Sequence, residues 1–564
     1  MKKEREMNQE KSKILSKIII TAFALVLVAV VLITAKNYLR DDITDRTNLV
    51  INHNNVTSRL QRENTQVYID ENGNVYLSMD DIENFFDKYI YIDEKYNMIV
   101  TTSDTKQATI GIDKKELSIN GSKLDLSAPV IQRNGEYYLP ISELTKVYNI
   151  DVNYHKDSDI LTIDSLDRSY ITMTSSKNMS VKYKAKGFSR TVDKVKKGES
   201  VVLVSKLENG WAKIRTQKGI LGYVKQDSLT NEISIRQDMP EQKQIEGKVS
   251  LVWDYFSEYV TAPTRSGTME GVNVVSPSFF TLKKNGNGAI DSNVGQKGEE
   301  YITWAHDNGY KVWAMVSNNS LKETTSTIMK DYYLREKLIE NIIEVAVKNK
   351  LDGINIDFEN MYAEDKDLFS KFIIELAPRL KEVGMVLSVD VTAPDGSDTW
   401  SLCFDRNVIG DVADYIVFMA YDQHGTSSVE AGTVAGYNWV EANIKKFLGQ
   451  EDVEAEKIIL GMPFYTRTWW YANGDLKTTS VDMKDVDRIL PEDAQKAWDD
   501  ALKQNYVKYT KNGIEYEMWI EDVESIKAKL SLIEKYKLAG ASYWEYGRED
   551  EAVWPVIAEA LKIK

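Results

Sequence analysis

From residue 247 to the carboxyl end, short apolar runs alternate with stretches in which apolar residues recur every three to four positions. The runs at 249–253, 272–276, 312–317, 353–358, 387–391, 415–420, 458–462 and 540–544 have the length and composition of strands buried on both faces. Stretches at 334–349 and 368–383 carry the helical period, and a last helix closes the chain near Ile557. The interval from 465 to 521, rich in Thr, Val and Trp, is the longest between two strands. It predicts an insertion, followed by a helix at 522–536.

Strand and helix alternating in this way predict a parallel α/β architecture. Eight such units in residues 247–564 predict a TIM (β/α)8 barrel, with the insertion before its last strand and over its active face.

Upstream, residues 72–103 and 134–165 repeat at an offset of 62. Asn72-Gly73 matches Asn134-Gly135, Val75-Tyr76-Leu77 matches Tyr137-Tyr138-Leu139, and Phe86 matches Tyr148. A fixed period predicts a duplicated unit. Each copy reads as a strand after an Asn-Gly turn, a short helix (79–89; 141–148) and two strands (90–92 with 98–101; 152–154 with 160–163). This small α+β domain, residues 66–166, resembles the amino-terminal domain of copper amine oxidases; it implies no copper here, because the histidines do not cluster. Residues 170–231 read as short strands punctuated by Gly, in the order Lys197-Gly198-Glu199, Asn209-Gly210-Trp211, Gly222-Tyr223-Val224. They predict a small β-barrel and resemble the bacterial Src-homology-3-like domain. Its Trp211 and Tyr223 either contact wall polymer or fill the little core.

Ile18 opens an uncharged apolar run to residue 35, about the minimum that crosses a bilayer. The preceding residues 1–17 carry Lys2, Lys3, Arg5, Lys11, Lys13 and Lys17 against Glu4, Glu6 and Glu10, so the positive-inside rule keeps them in the cytoplasm. The expected result is a single transmembrane helix at 18–35, a polar stalk at 36–65 and everything beyond it outside the cell. A cleaved signal is the competing reading; the run is long for one and no Ala-x-Ala site follows.

The formal net charge of −15 excludes a broad phosphate-backbone binder, so no nucleic-acid partner is expected. Cys403 is the only cysteine, which rules out an internal disulfide and suits a bacterial surface protein built without them. His53, His155, His306 and His424 are scattered with no metal-ligand spacing. Neither a metal nor a cofactor is expected.

The chemistry lies at 352–359, Asp-Gly-Ile-Asn-Ile-Asp-Phe-Glu. Alternate residues of a strand share a face, so Asn355, Asp357 and Glu359 converge while Ile354, Ile356 and Phe358 point the other way. Unpaired acids on a buried face are costly, which favours function over packing. In such a barrel, catalytic groups sit at the carboxyl ends of the strands. The sixth strand ends in Met419-Ala420-Tyr421-Asp422 and the eighth in Trp544, bringing a phenol, a second acid and an indole to the same rim.

These motifs resemble glycoside hydrolase family 18, the chitinase-like barrels, whose fourth strand carries Asp-Gly-x-Asp-x-Asp-x-Glu and whose sixth carries Met-x-Tyr-Asp. The resemblance implies that Glu359 is the general acid/base, that Asp357 and Tyr421 hold the substrate acetamido group, and that Trp544 floors the sugar. Asn355, Met419 and Asp422 are then expected to line the substrate site. It further implies substrate-assisted catalysis, in which no protein nucleophile is needed. Asn355 departs from the pattern, standing where the middle acid belongs. The expectation is that its amide bonds Asp357 and that the proton-sharing carboxylate pair is missing. The Asn-x-Asp-x-Glu form resembles the spore-cortex and cell-wall N-acetylglucosaminidase branch. The expected partner is a polysaccharide containing N-acetylglucosamine, in peptidoglycan or in chitin-like glycans. The alternative is a catalytically silent carbohydrate-binding scaffold.

Overall fold

The structure, a computed structural model, describes residues 2–40, 49–55, 67–133, 135–166, 169–235, 245–256 and 261–563. It divides into two compact units.

The first unit opens with the helix Lys2–Arg40, whose segment Lys13–Leu32 is long and apolar enough to cross a membrane and is exposed along its whole length. Much of the expected stalk, residues 41–48 and 56–65, lies outside the described residues. Its middle is no stalk: Leu49–Ile51 is a fully buried strand, paired in parallel with Leu161–Ile163. Three apolar residues in a polar stretch carry no period of their own, so only the distant partner strand reveals them.

The duplication is visible as internal symmetry. The strands Val75–Ser78 and Glu136–Pro140 pair antiparallel with Leu77 opposite Leu139, so at the pairing centre Leu77 meets its own copy. Phe86 and Tyr148, equivalent in sequence, stack with centroids 5.5 Å apart. Where a small barrel is expected, Tyr170 to Ile235 form a seven-stranded antiparallel sheet, with Val181, Ala212, Ile214 and Val224 in its core. Trp211 is buried there beneath the Lys225 ammonium, 4.5 Å from its ring, and so offers no surface to a polymer; Tyr223 is half-buried.

The second unit holds the large barrel. Its strands are β1 (Val249–Asp254), β2 (Val274–Pro277), β3 (Lys311–Ser317), β4 (Gly353–Asp357), β5 (Val386–Val391), β6 (Tyr415–Met419), β7 (Ile458–Pro463) and β8 (Gly540–Trp544). All eight pair in parallel, β8 pairs with β1, and β2 pairs with both β1 and β3, so the sheet closes. Alternate residues divide between two cores. Leu251, Trp253, Trp313, Met315, Val417 and Ile459 fill the barrel, while Val252, Ile354, Ile356, Leu387 and Phe418 meet the helices. Between β7 and β8 the chain forms a five-stranded antiparallel sheet, built from strands between Tyr465 and Ile520. The fully buried pair Lys529–Glu521, 2.8 Å apart, ties its last turn to the helix Val523–Tyr536, and Gln504 donates to the same carboxylate.

The first repeat copy is divided between the two compact units. The hairpin of the first repeat copy, Tyr91–Asp93 and Met98–Thr102, belongs to the barrel unit. Met98 and Val100 pack on Tyr332, and the Tyr91 hydroxyl joins the buried Arg335–Glu375 ion pair between two barrel helices.

Candidate active site

Gly353 starts β4 because a Cβ there would lie 2.7 Å from the Trp313 indole. From this point the alternation is strict. Ile354, Ile356 and Phe358 are buried against the helices, with Phe358 stacked on Phe372 at 5.7 Å, while Asn355, Asp357 and Glu359 turn to the barrel axis. Asn318, just past β3, fixes the strand end: its Oδ1 accepts the Glu359 N–H at 3.0 Å and its Nδ2 donates to the Glu359 carbonyl at 2.8 Å.

Asn355 is where the structure corrects the sequence reading. It is fully buried, and its amide does not bond Asp357. Nδ2 donates to Asp390 Oδ1 at 2.7 Å and to Ser388 Oγ at 3.0 Å, whereas Oδ1 accepts from Trp253 Nε1 at 2.9 Å and Ser276 Oγ at 3.2 Å. All four hydrogen-bonding valences of the amide are taken, so nothing remains for a sugar. The expected loss of a neighbouring carboxylate is also corrected, since Asp390 on β5 supplies one.

The other expected residues share the same rim. Tyr421 lies past the end of β6, its ring edge-on to Trp253 at 6.5 Å and to Tyr465 at 6.4 Å. Met419, the last residue of β6, is buried. Asp422 adopts a left-handed conformation (φ 55°), accepts from the Tyr465 hydroxyl at 2.7 Å and pairs with Arg467 at 3.2 Å. The half-buried Trp544 packs edge-on to Trp253 at 5.8 Å and beside the exposed Tyr255 at 5.7 Å. Among the described residues, no group of His, Cys, Asp and Glu is arranged to hold a metal ion.

The electrostatics follow from burial. Desolvation, with Asp357 and Asp422 adding like charge, pushes the Glu359 carboxyl up to about 8. Asp357 and Asp390 are both held well above the usual carboxylate range, first by desolvation and then by neighbouring acids. Burial likewise keeps the Tyr421 phenol protonated and therefore a donor.

Such a carboxyl weakens the fold as pH rises. Between its ordinary value and about 8 the folded protein binds more protons at Glu359 than the unfolded chain does, so stability falls as pH increases through that window. Glu359→Gln has no proton to lose. Its melting temperature should therefore gain on the wild type between about pH 5 and about pH 9. Parallel melting curves in calorimetry across that range would show that Glu359 is not a buried acid.

Sequence reasoning missed Asp390, Ser388, Trp253, Ser276 and Asn318. For two of them a signal existed: Ser388 and Asp390 are the polar positions at a spacing of two on the predicted fifth strand.

The family model of glycosyl hydrolases family 18 matches residues 251–549. The chain belongs to that family. The model of the copper amine oxidase N-terminal domain matches residues 51–163, so that match too starts inside the expected stalk. The chain is 28% identical over 303 residues to the "Uncharacterized glycosylase YvbX" of Bacillus subtilis (strain 168), covering 52% of this chain and 85% of that one. It is 25% identical over 244 residues to the cortical fragment-lytic enzyme of the same organism, covering 42% of this chain and 56% of the relative. Among solved structures, a chitinase from Chromobacterium violaceum ATCC 12472 aligns at 24% identity and a TM-score of 0.49, over 56% of this chain and all of that one. Family membership makes this protein a glycosidase of the chitinase or N-acetylglucosaminidase type.

Proposed function

We propose that the chain hydrolyses β-1,4 bonds next to N-acetylglucosamine in peptidoglycan, or in chitin-like glycans, with retention of anomeric configuration. The observation that carries this reading is the placement of Glu359 at the mouth of the barrel, with Asp357 next inward on the same strand face, where burial pushes the Glu359 carboxyl up to about 8. Glu359 gives its proton to the glycosidic oxygen as that bond breaks. The acetamido oxygen of the sugar attacks the anomeric carbon, forming an oxazolinium ion. The leaving chain departs, and the Glu359 carboxylate takes a proton from the water that opens the ring, returning to its starting state. Asp357 accepts the acetamido N–H, Tyr421 donates to its oxygen, Trp544 floors the ring, and Met419 and Asp422 line the site. A wall-derived glycan is supported by the name of one relative, cortical fragment-lytic enzyme, and by the resemblance of residues 170–231 to a module often attached to cell-wall enzymes. The apolar helix near the amino terminus supports placement at the cell membrane with the barrel outside.

The test is incubation of the full chain with purified peptidoglycan and with chitin oligomers, reading products by mass spectrometry and anomers by early-time NMR. The expected products carry N-acetylglucosamine at the new reducing end in the β-configuration. A thiazoline mimic of the oxazolinium ion should inhibit, and a de-acetylated glycan should be inert. Inverted product would overturn the mechanism, and no cleavage of either polymer would overturn the hydrolase reading in favour of glycan binding alone.

A further inference from the structure

We infer that Asp390 is the proton-sharing partner of Asp357, supplying from β5 the carboxylate that Asn355 lacks on β4. The inference rests on the hydrolase reading above and names a positioning residue for the same site.

The register makes the pair. β4 and β5 run parallel with Asn355 opposite Ser388 and Ile356 opposite Val389, so the next step sets Asp357 beside Asp390. Neighbouring strands lie about 4.8 Å apart, and both side chains turn to the barrel axis. Asp357 Oδ1 and Asp390 Oδ2 are both enclosed without a hydrogen-bond partner, while Asp390 Oδ1 accepts from Asn355. Two enclosed carboxylates at such range do not both ionise, and a single proton between those oxygens satisfies both.

The amide at 355 completes the arrangement. Trp253 and Ser276 both donate to its oxygen, which forces the Nδ2 side toward Asp390 and Ser388. An acid at 355 could not donate to Asp390 while ionised, and it would crowd a third carboxyl into the same space. The asparagine on β4 and the aspartate on β5 are therefore complementary: the usual acid has moved one strand across. Asn355 is then part of the acid pair's support, which explains why its amide is spent inside the barrel.

The pair carries one proton and one negative charge throughout. When the acetamido N–H arrives, the proton settles on Asp390 Oδ2 and leaves Asp357 as the carboxylate that accepts the N–H and faces the positive oxazolinium ion. When product leaves, the proton is again shared, and nothing is consumed. The titratable groups facing this pair are Glu359, at the end of β4, and Tyr421, after β6; Asp422 faces Glu359.

The experiment compares wild type, Asp390→Asn, Asn355→Asp and the swap Asn355→Asp/Asp390→Asn in the full chain. Three readouts are taken: the pH profile of kcat, the pH dependence of thiazoline binding, and the pH dependence of unfolding, which needs no substrate. Asp390→Asn should lower kcat by about ten- to a hundredfold and displace the acid limb, because Asp357 loses its proton partner. Asn355→Asp should lose stability more steeply with rising pH than wild type, since one more buried carboxyl must hold a proton. The swap restores one acid pair and one amide, and should recover kcat to within about tenfold of wild type, together with the wild-type unfolding slope. A wild-type pH profile for Asp390→Asn overturns the inference, as does a swap no better than the worse single variant in both kcat and unfolding slope. If the unfolding slopes behave as expected while the wild type neither cleaves glycan nor binds thiazoline, the hydrolase reading falls and the shared proton stands. If the wild type cleaves and binds but the slopes and profiles do not separate, only this inference falls.

Discussion

Glu359→Gln should abolish glycan hydrolysis while leaving glycan binding within a few-fold of wild type. The substitution keeps the shape and hydrogen-bonding reach of the side chain and removes only the transferable proton. General acid catalysis contributes about 10²- to 10⁴-fold, and a sugar alkoxide is a poor leaving group without protonation. The amide should also be folded and at least as stable as the acid near neutral pH, because wild type holds a desolvated carboxyl there that is pushed up to about 8. Turnover on a natural oligosaccharide and calorimetric binding of the same oligosaccharide separate the two effects. Turnover like that of wild type would remove Glu359 from the chemistry, and a silent wild type that binds as the variant does would favour a scaffold.

Arg335→Met should destabilise the barrel by about 3–5 kcal/mol, the usual cost of leaving one member of a buried ion pair alone. Arg335 donates from Nε and Nη2 to both oxygens of Glu375 and from Nη1 to the Met329 carbonyl, and both partners are almost fully buried. The Tyr91 hydroxyl closes the network from the repeat hairpin, donating to Glu375 at 2.6 Å. The double variant Arg335→Met/Glu375→Leu should lose much less, because an apolar pair leaves no stranded charge. Eleven of the twelve tryptophans lie in the barrel unit, four of them in its inserted sheet, so urea unfolding followed by tryptophan fluorescence reports on this unit. Equal losses in the single and double variants would show that the cost is packing, not charge. The same network means that a fragment cut near residue 240 would uncover Tyr332, Arg335 and Glu375, so assays belong on the full chain.

What the sequence determined by itself was everything set by local periodicity. The period of two at 353–359 decided that Asn355, Asp357 and Glu359 share a face, and the strand–helix alternation decided the parallel barrel. The offset repeat foretold a domain whose equivalent residues, Leu77 with Leu139 and Phe86 with Tyr148, meet each other. Tertiary structure decided whatever depends on which strands become neighbours and in what register. Asn355 reads locally as part of an acidic row beside Asp357; only the pairing of β4 with β5 turns its amide to Asp390. Leu49–Ile51 looked like stalk until paired with Leu161–Ile163, and the hairpin at Tyr91–Thr102, part of the first repeat copy, gave no sign that it would pack on Tyr332. Trp211 read as surface or core until Lys225 covered it. The physical reason is common to all four. Side-chain direction along a strand is fixed by the backbone within a few residues, whereas the neighbour across a strand or a packed face is chosen by closure and burial over the whole unit.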